Sequence, residues 1–259
     1  METPHNMKMD SSERLQNQQA TPTKQSVEIV LPVFNEEKIL PLSVAKLHAF
    51  LTENVKNPWQ ILIADNGSED GTREIGKKLA SKYSNVLYDH IAEKGRGWSL
   101  NRCWLASKAD IVSYMDIDLS THLEAFPHML DEIESGYDMV IGSRLISGSQ
   151  VQNRTLIREI TSRCYNLLIR MMFFTNFNDA QCGFKALTRN AAQGVLPKVL
   201  DRGWFFDSEI LLVASRRGYR IKEIPVKWTD DPDSKVNIPK TAWNNTKGLL
   251  RLRFGGKTK

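Results

Sequence analysis

The chain has 259 residues, 41% hydrophobic and 25% charged, a composition that suits a soluble globular protein with one sizeable core. A net charge of +5 is too mild to argue for a nucleic-acid partner. Three cysteines without a CxxC pair argue against a zinc site or disulfide framework and fit a reducing compartment.

Residues 1–25 are polar, rich in Gln, Ser, Thr and Asn, and lack the apolar segment of a signal peptide; they read as a disordered extension. From residue 27 short β-rich runs alternate with longer helical stretches. A strand at 27–31 precedes a helix at 39–53, with Pro41 in its tolerant first turn. A second strand, 59–64, runs into Asp65-Asn66-Gly67-Ser68, and a helix at 72–82 and a strand at 86–88 follow. A helix at 100–107 leads to a strongly apolar strand at 111–115 that ends on Asp116. A helix at 126–135 and a strand at 139–141 come next. This alternation predicts an α/β fold of βαβ units, a Rossmann-like, mostly parallel central sheet with helices on both faces.

Beyond Gly142 the rhythm changes. Residues 155–174 read as one long helix with more apolar residues than an amphipathic stripe needs, interspersed with Arg158, Arg163 and Arg170. That pattern fits either a core helix or one lying in a membrane surface. The closest approach to a membrane span, 167–174, is broken by Arg170 and falls far short of the roughly 18–20 residues required. A loop at 179–183, a strand at 184–187, a helix at 208–217 and a strand at 220–226 complete a domain over 26–229. Residues 230–259 form a basic amphipathic tail: after Asp233 there is no acidic residue, while Lys235, Lys240, Lys247, Arg251, Arg253, Lys257 and Lys259 follow. Such a tail suits a lipid headgroup layer or phosphates, and equally a solvated basic end.

In an open α/β sheet, ligands bind beyond the carboxyl ends of the strands. Three such ends carry chemistry here: Pro32-Val33-Phe34-Asn35-Glu36-Glu37, Asp65-Asn66-Gly67-Ser68, and Asp116-Ile117-Asp118. In an extended chain Asp116 and Asp118 share a face, and two carboxylates on one edge repel unless a cation lies between them. Mg²⁺ or Mn²⁺, which take oxygen ligands from carboxylates and substrate phosphates, fits that pair. Asp65 is placed to accept hydrogen bonds from a ribose or base, although its turn is also explained by local capping. Lys94-Gly95-Arg96-Gly97 sets two cations and two glycines before a helix, where they either cradle phosphates or form an exposed loop. The five histidines show no ligand spacing.

With those three motifs in order, the chain resembles family 2 glycosyltransferases of the GT-A fold. Asp179-Ala180-Gln181-Cys182-Gly183-Phe184-Lys185 and Trp204-Phe205-Phe206-Asp207-Ser208-Glu209 are similar to the branch that makes polyprenyl-phosphate hexoses, the dolichyl-phosphate glucosyltransferases and their mannosyltransferase relatives. The resemblance covers about residues 26–253. It implies that Pro32, Asn35, Glu37 and Asp65, with Lys94, line the nucleotide pocket, and that Asp116 and Asp118 hold the metal and diphosphate. It also implies that Asp179, Gln181, Asp207 and Glu209 surround the sugar and reaction centre. Arg144, Arg154 and Lys235 lie where such enzymes collect positive charge for an acceptor phosphate. Asp65-Asn66 departs from the commoner Asp-Asp pair, and the membrane helices of many relatives are missing.

The expected reaction is inverting transfer of a hexose, glucose from UDP-glucose before mannose from GDP-mannose, to a polyprenyl phosphate lipid. The protein is expected on the cytoplasmic face of a membrane as a peripheral protein, with a membrane-protein partner possible. Rival readings are a family 2 enzyme with a soluble sugar or metabolite acceptor, which needs a base such as Asp207 or Glu209, and a non-catalytic nucleotide-sugar-binding subunit. A nucleotidyltransferase is disfavoured because Asn-Glu-Glu replaces its Gly-rich signature after the first strand.

Overall fold

The structure, a computed structural model, describes residues 24–230 and 238–255. The predicted N-terminal extension up to residue 23 and the acceptor candidate Lys235 lie outside the described residues. In chain order the elements are β1 (Val27–Val33), α1 (Leu40–Asn54), β2 (Trp59–Asp65), α2 (Thr72–Lys82), β3 (Val86–His90), α3 (Arg96–Ala106), β4 (Ile111–Met115), α4 (Ala125–Glu134) and β5 (Met139–Ser143). Then come β6 (Gln150–Gln152), α5 (Leu156–Phe173), β7 (Phe184–Thr188), α6 (Arg189–Val195), a 3-10 turn, α7 (Phe206–Arg216), β8 (Ile221–Pro225), β9 (Lys227–Thr229) and α8 (Ile238–Phe254). The sequence pattern misses β6, β9 and α6, all too short to show a period, and starts α3 four residues late.

Seven strands form one sheet in the order β3-β2-β1-β4-β7-β5-β8, and β6 pairs with β9 in a separate ribbon. Strand β1 is apolar on both sides: Val27, Ile29, Leu31 and Val33 join one core with α1, α2 and α4, while Val30 joins a second with α3, α6 and α7. That two-sided burial is why its sequence reads as a continuous apolar run rather than an alternation.

The sheet is mostly parallel, with one exception that matters for function. Strand β7 runs antiparallel to both β4 and β5. The rim that receives the carboxyl ends of β1, β2, β4 and β5 therefore also receives the amino end of β7. The loop 179–183 is thereby delivered to the same edge as Asp65 and Asp116.

Helix α5 is a surface helix. It opens on a Thr155 cap and buries only Ser162, Asn166 and Ile169. Leu156, Ile157, Ile160, Leu167, Leu168, Met171 and Phe174 are exposed, so the alternative of a core helix is set aside. The described part of the basic tail is docked rather than free: α8 buries Asn245 and Leu249 against the body. Its Gly248 lies so close to Phe205 that an added Cβ would come within 2.3 Å of the ring. No helix among the described residues is long and apolar enough to cross a membrane.

Candidate functional site

The loops after β1 and β2 are stitched to each other. Asn35, in a left-handed conformation at φ 55°, donates its amide to Ser68 Oγ at 2.9 Å and accepts from the Glu69 amide at 2.8 Å. Glu37 accepts from the Gly71 amide at 2.9 Å, while its own amide reaches Asp70. Pro32 lies in β1 beyond the last residue paired with β4, where a missing amide breaks no ladder bond on that side. Asp65 is fully buried and accepts from the Ser68 amide at 2.9 Å and the Tyr88 hydroxyl at 2.5 Å, with His90 Nδ1 at 3.1 Å. Burial alone would raise its carboxyl; the donors from Tyr88, Ser68 and His90 overcome this and hold it below its ordinary value.

Asp116 follows β4 directly, and the register sets Met115 opposite Phe184. Gly183 therefore sits under the Asp116 carboxylate, where a Cβ would fall 1.7 Å from Oδ2; only glycine leaves room for that oxygen. The chain does not stay extended beyond β4. Residues 116–119 turn, closed by the Leu119 amide on Asp116 O at 3.0 Å with Leu119 at φ 51°. The expectation that Asp116 and Asp118 share a strand face is thus corrected: the turn, not the pleat, sets their directions. Asp118 Oδ1 accepts from the Ser120 amide at 2.9 Å.

Arg96, for which the sequence offers either a phosphate cradle or an exposed loop, does neither: it bridges acids. Its Nη2 donates to Asp116 Oδ1 at 2.6 Å and its Nη1 to Asp207 at 2.5 Å, with the guanidinium between the rings of Tyr114 and Trp204. The glycines of that loop serve packing. A Cβ on Gly95 would meet Arg202 O at 2.6 Å, and one on Gly97 would meet Phe206 Cβ at 2.5 Å. Lys94 stays at the rim, paired with Glu69 at 2.6 Å and over the Phe34 ring.

Asp207 is buried and accepts from Lys185 Nζ at 2.8 Å, from Tyr114 and from Arg96. Burial pushes its carboxyl up, but Lys185 and Arg96 outweigh that and hold it low. Lys185, fully buried in a strand that reads as apolar, also donates to Cys182 O at 2.6 Å. The run Asp116–Arg96–Asp207–Lys185 alternates in sign, which is how Arg96, Asp207 and Lys185 share a largely dry interior beneath the partly exposed Asp116.

Asp179 is equally buried and is gripped by Arg144, whose Nε and Nη2 donate at 2.8 and 2.9 Å and whose amide donates at 3.0 Å. Burial raises the Asp179 carboxyl, yet the Arg144 charge and its hydrogen bonds take it down to about 2. The half-buried Gln181 donates its amide to the same carboxylate at 3.2 Å. Arg144 and Arg154 flank the indole of Trp228 at 5.3 and 5.8 Å. Burial, then repulsion from Arg144, lowers the Arg154 guanidinium, although Glu159 pairs with it at 2.8 Å. The two arginines on one ring are each matched by a carboxylate, Asp179 and Glu159, so this side of the site is a nearly buried cluster of ion pairs.

Glu209 is not brought to the rim. It faces away from Asp207 on α7, accepts from the Asp201 amide at 2.7 Å and pairs with Arg251 of α8 at 2.8 Å. Sequence reasoning missed Tyr88, Tyr114, Lys185 and Trp228. A lysine and a tyrosine inside apolar strands are a usable signal for two of them; Trp228 has none, because only folding sets it between two arginines.

Among the described residues no group of three or more His, Cys, Asp or Glu side chains comes together as a metal cage. The hard oxygen donors of Asp116, 41% exposed at the rim, and Asp118 do fit a magnesium- or manganese-like cation that takes its other ligands from phosphates.

The Glycosyl transferase family 2 profile matches residues 28–196. The chain is similar to the glycosyltransferase AglD of Haloferax volcanii, 33% identical over 90% of this chain and 38% of that protein. It is similar to the dolichyl-phosphate beta-glucosyltransferase ALG5C of Trichomonas vaginalis, 31% identical over 84% of this chain and 68% of that protein. The dolichyl-phosphate beta-glucosyltransferase of Saccharomyces cerevisiae is 26% identical over 87% and 73%. The chain thus spans little more than a third of AglD and about two thirds or more of the other two. Among solved structures, glucosyl-3-phosphoglycerate synthase from Mycobacterium tuberculosis, in complex with Mn²⁺ and UDP-glucose, superposes with a TM-score of 0.65 at 18% identity over 90% of this chain and 81% of that one. This likeness carries the fold.

Proposed function

This chain belongs to glycosyltransferase family 2, and on that premise we propose that it transfers glucose, with inversion, from UDP-glucose to a polyprenyl monophosphate at a membrane surface. The dolichyl-phosphate glucosyltransferases among its relatives support the sugar and the lipid phosphate. The UDP-glucose complex of its structural neighbour supports the donor.

The observation that carries the acceptor assignment is the state of the buried carboxylates. A sugar hydroxyl needs a general base. Asp207 is ion-paired to two cations, Asp179 is held at about 2 by Arg144, and Glu209 is turned toward α8. The first two are held ionised by their cations, and Glu209, whose carboxyl is pushed up by burial, is set aside by its position against α8. A phosphate monoester, with a second pKa near ~6, is already an anionic nucleophile at neutral pH and needs none. The protein has only to align it and to exclude competing water.

In this reading Asp65, Asn35, Glu37, Pro32 and Lys94 frame the nucleoside, and Asp116 and Asp118 hold Mg²⁺ or Mn²⁺. When bound, the cation neutralises charge growing on the departing nucleoside diphosphate. Arg144 and Arg154, stacked on Trp228, orient the acceptor phosphate, with Lys235 as a further cation for it. Asp179 and Gln181 brace that group, and Asp207 fixes Arg96 beneath Asp116. The apolar, arginine-flanked face of α5 supports peripheral membrane contact. Three unpaired cysteines are compatible with a reducing, cytoplasmic side.

A donor screen tests the reading: full-length protein, farnesyl phosphate and each nucleotide sugar in turn, with products detected by mass. Glucosyl phosphate lipid from UDP-glucose is expected. Asp116→Asn should lower kcat/KM by on the order of 10²–10³ and weaken Mn²⁺ binding seen by electron paramagnetic resonance. Transfer to simple sugars but not to farnesyl phosphate would overturn the acceptor assignment.

A further inference from the structure

A cleft of about 440 Å³ opens between the 201–205 loop and α8, lined in part by Arg202, Trp204, Thr241, Asn244, Lys247 and Arg251. Its size is within the roughly 300–1,000 Å³ of small-ligand pockets. None of the residues assigned above to donor or acceptor lines it.

The cleft is cationic, and its few internal acids are committed. Arg251 is paired with buried Glu209 at 2.8 Å. The Asp201 carboxylate accepts the amides of Gly203 and Phe206 at 2.8 and 3.1 Å. Arg202 lies over the Trp98 ring at 4.4 Å and Lys247 over the Trp243 ring at 5.1 Å; among the described residues neither is paired with a carboxylate. Two cations without a carboxylate partner among the described residues, both in the lining of a polar cleft, are the chemistry of a phosphate site.

Helical geometry says what kind of phosphate. At 3.6 residues per turn, α8 carries three adjoining stripes. Asn245, Leu249 and Leu252 face the body. Thr241, Asn244, Lys247 and Arg251 line the cleft. Beyond Lys247 come Trp243, Leu250 and Phe254, which are 62%, 47% and 74% exposed. The mouth of the cleft therefore continues into exposed apolar surface. An anion there has somewhere to lay a hydrocarbon chain.

We propose that this cleft binds the phosphate headgroup of a membrane lipid and seats α8 in the headgroup layer. The proposal rests on the membrane-surface reading given under Proposed function and adds a defined headgroup site to it. The cleft shares a wall with the donor site, since Trp204 of its lining also stacks on Arg96. A lipid bound there holds the rim of the sheet against the membrane.

Co-sedimentation of the full chain with phosphatidylcholine vesicles, with and without phosphatidic acid, tests this. Wild type should bind the phosphatidic acid vesicles. Lys247→Gln, and separately Arg202→Gln, should lower binding by roughly tenfold or more, while glucose transfer to a short, micelle-free prenyl phosphate is unchanged. Arg253→Gln removes the same charge from the far flank of α8 and should cost about fivefold or less, the value of one diffuse surface charge. Equal losses for Lys247→Gln and Arg253→Gln would overturn the cleft in favour of general electrostatics. Thermal stabilisation by inorganic phosphate that needs Lys247, with vesicle binding unaffected, would overturn the lipid assignment. If wild type binds no vesicles at all, the membrane reading itself fails; if wild type binds and both cleft variants bind equally, only the cleft does.

Discussion

Asp179 and Arg144 carry different roles when read one residue at a time, a reaction-centre acid and an acceptor-phosphate cation. Folded, they are one buried bidentate pair. Removing one partner of such a pair leaves the other charged and dry. Asp179→Asn should therefore cost about 3–5 kcal/mol of stability at neutral pH, measured by denaturant unfolding. The pH dependence follows from the sign of the shift. The folded carboxyl, at about 2, lies below the ordinary aspartate value of about 3.9. Its contribution is complete above the ordinary value and is lost as pH falls from there through about 2. The stability gap between wild type and variant should narrow over that window; a constant gap would mean that the ion pair is not its source. Arg96 makes the same point for sequence reading: two cations and two glycines suggest a cradle, whereas the guanidinium is absorbed by Asp116 and Asp207.

At the scale of elements, the antiparallel direction of β7 and the docking of α8 shape the site most. Neither has a local signal. A five-residue apolar strand pairs equally well in either direction, and its direction here follows from the path that the chain takes after α5. The residues of α8 read as a basic amphipathic tail because the docked stripe is narrow and includes Asn245 and Gly248 rather than leucines alone. Gly248 is the discriminating position. Gly248→Ala would drive a methyl into the Phe205 ring, 2.3 Å from Cδ1. Overpacking of that kind costs about 1–3 kcal/mol, and hydrogen exchange should show α8 losing protection before the sheet does. Uniform protection across the chain would show that α8 does not depend on this contact.

For the whole molecule, charge and apolarity are divided between two regions. Acidic groups gather at the carboxyl ends of β2 and β4, and cations lie behind β5 and along α8. A large apolar face on α5 has no partner among the described residues. Ile157 and Ile160, 72% and 61% exposed, lie in its first turns. Replacing both with aspartate should leave the melting temperature nearly unchanged, because exposed positions usually contribute within about 0.5 kcal/mol. Vesicle binding should fall by on the order of 10²-fold, since each isoleucine buried in lipid is worth about 1.5–3 kcal/mol. Undiminished binding would place the membrane contact elsewhere.

The sequence by itself determined the βα rhythm, the strand ends that carry Asn35, Asp65 and Asp116, and the family. These rest on periodicity and on short contiguous motifs, which are local properties of a chain. It left open whether α5 is core or surface. It assigned Glu209 to a reaction centre that Glu209 does not reach, and it put Asp116 and Asp118 on a strand face that ends one residue too soon. Only the tertiary structure decided which charges neutralise which. The pairs Arg96–Asp207, Arg144–Asp179 and Arg251–Glu209 join residues 111, 35 and 42 positions apart. Ion pairing depends on distance in space and on burial, neither of which is encoded by spacing along the chain. The motif Asp116-Ile117-Asp118 names a metal site; Gly183, delivered by an antiparallel strand, makes room for it.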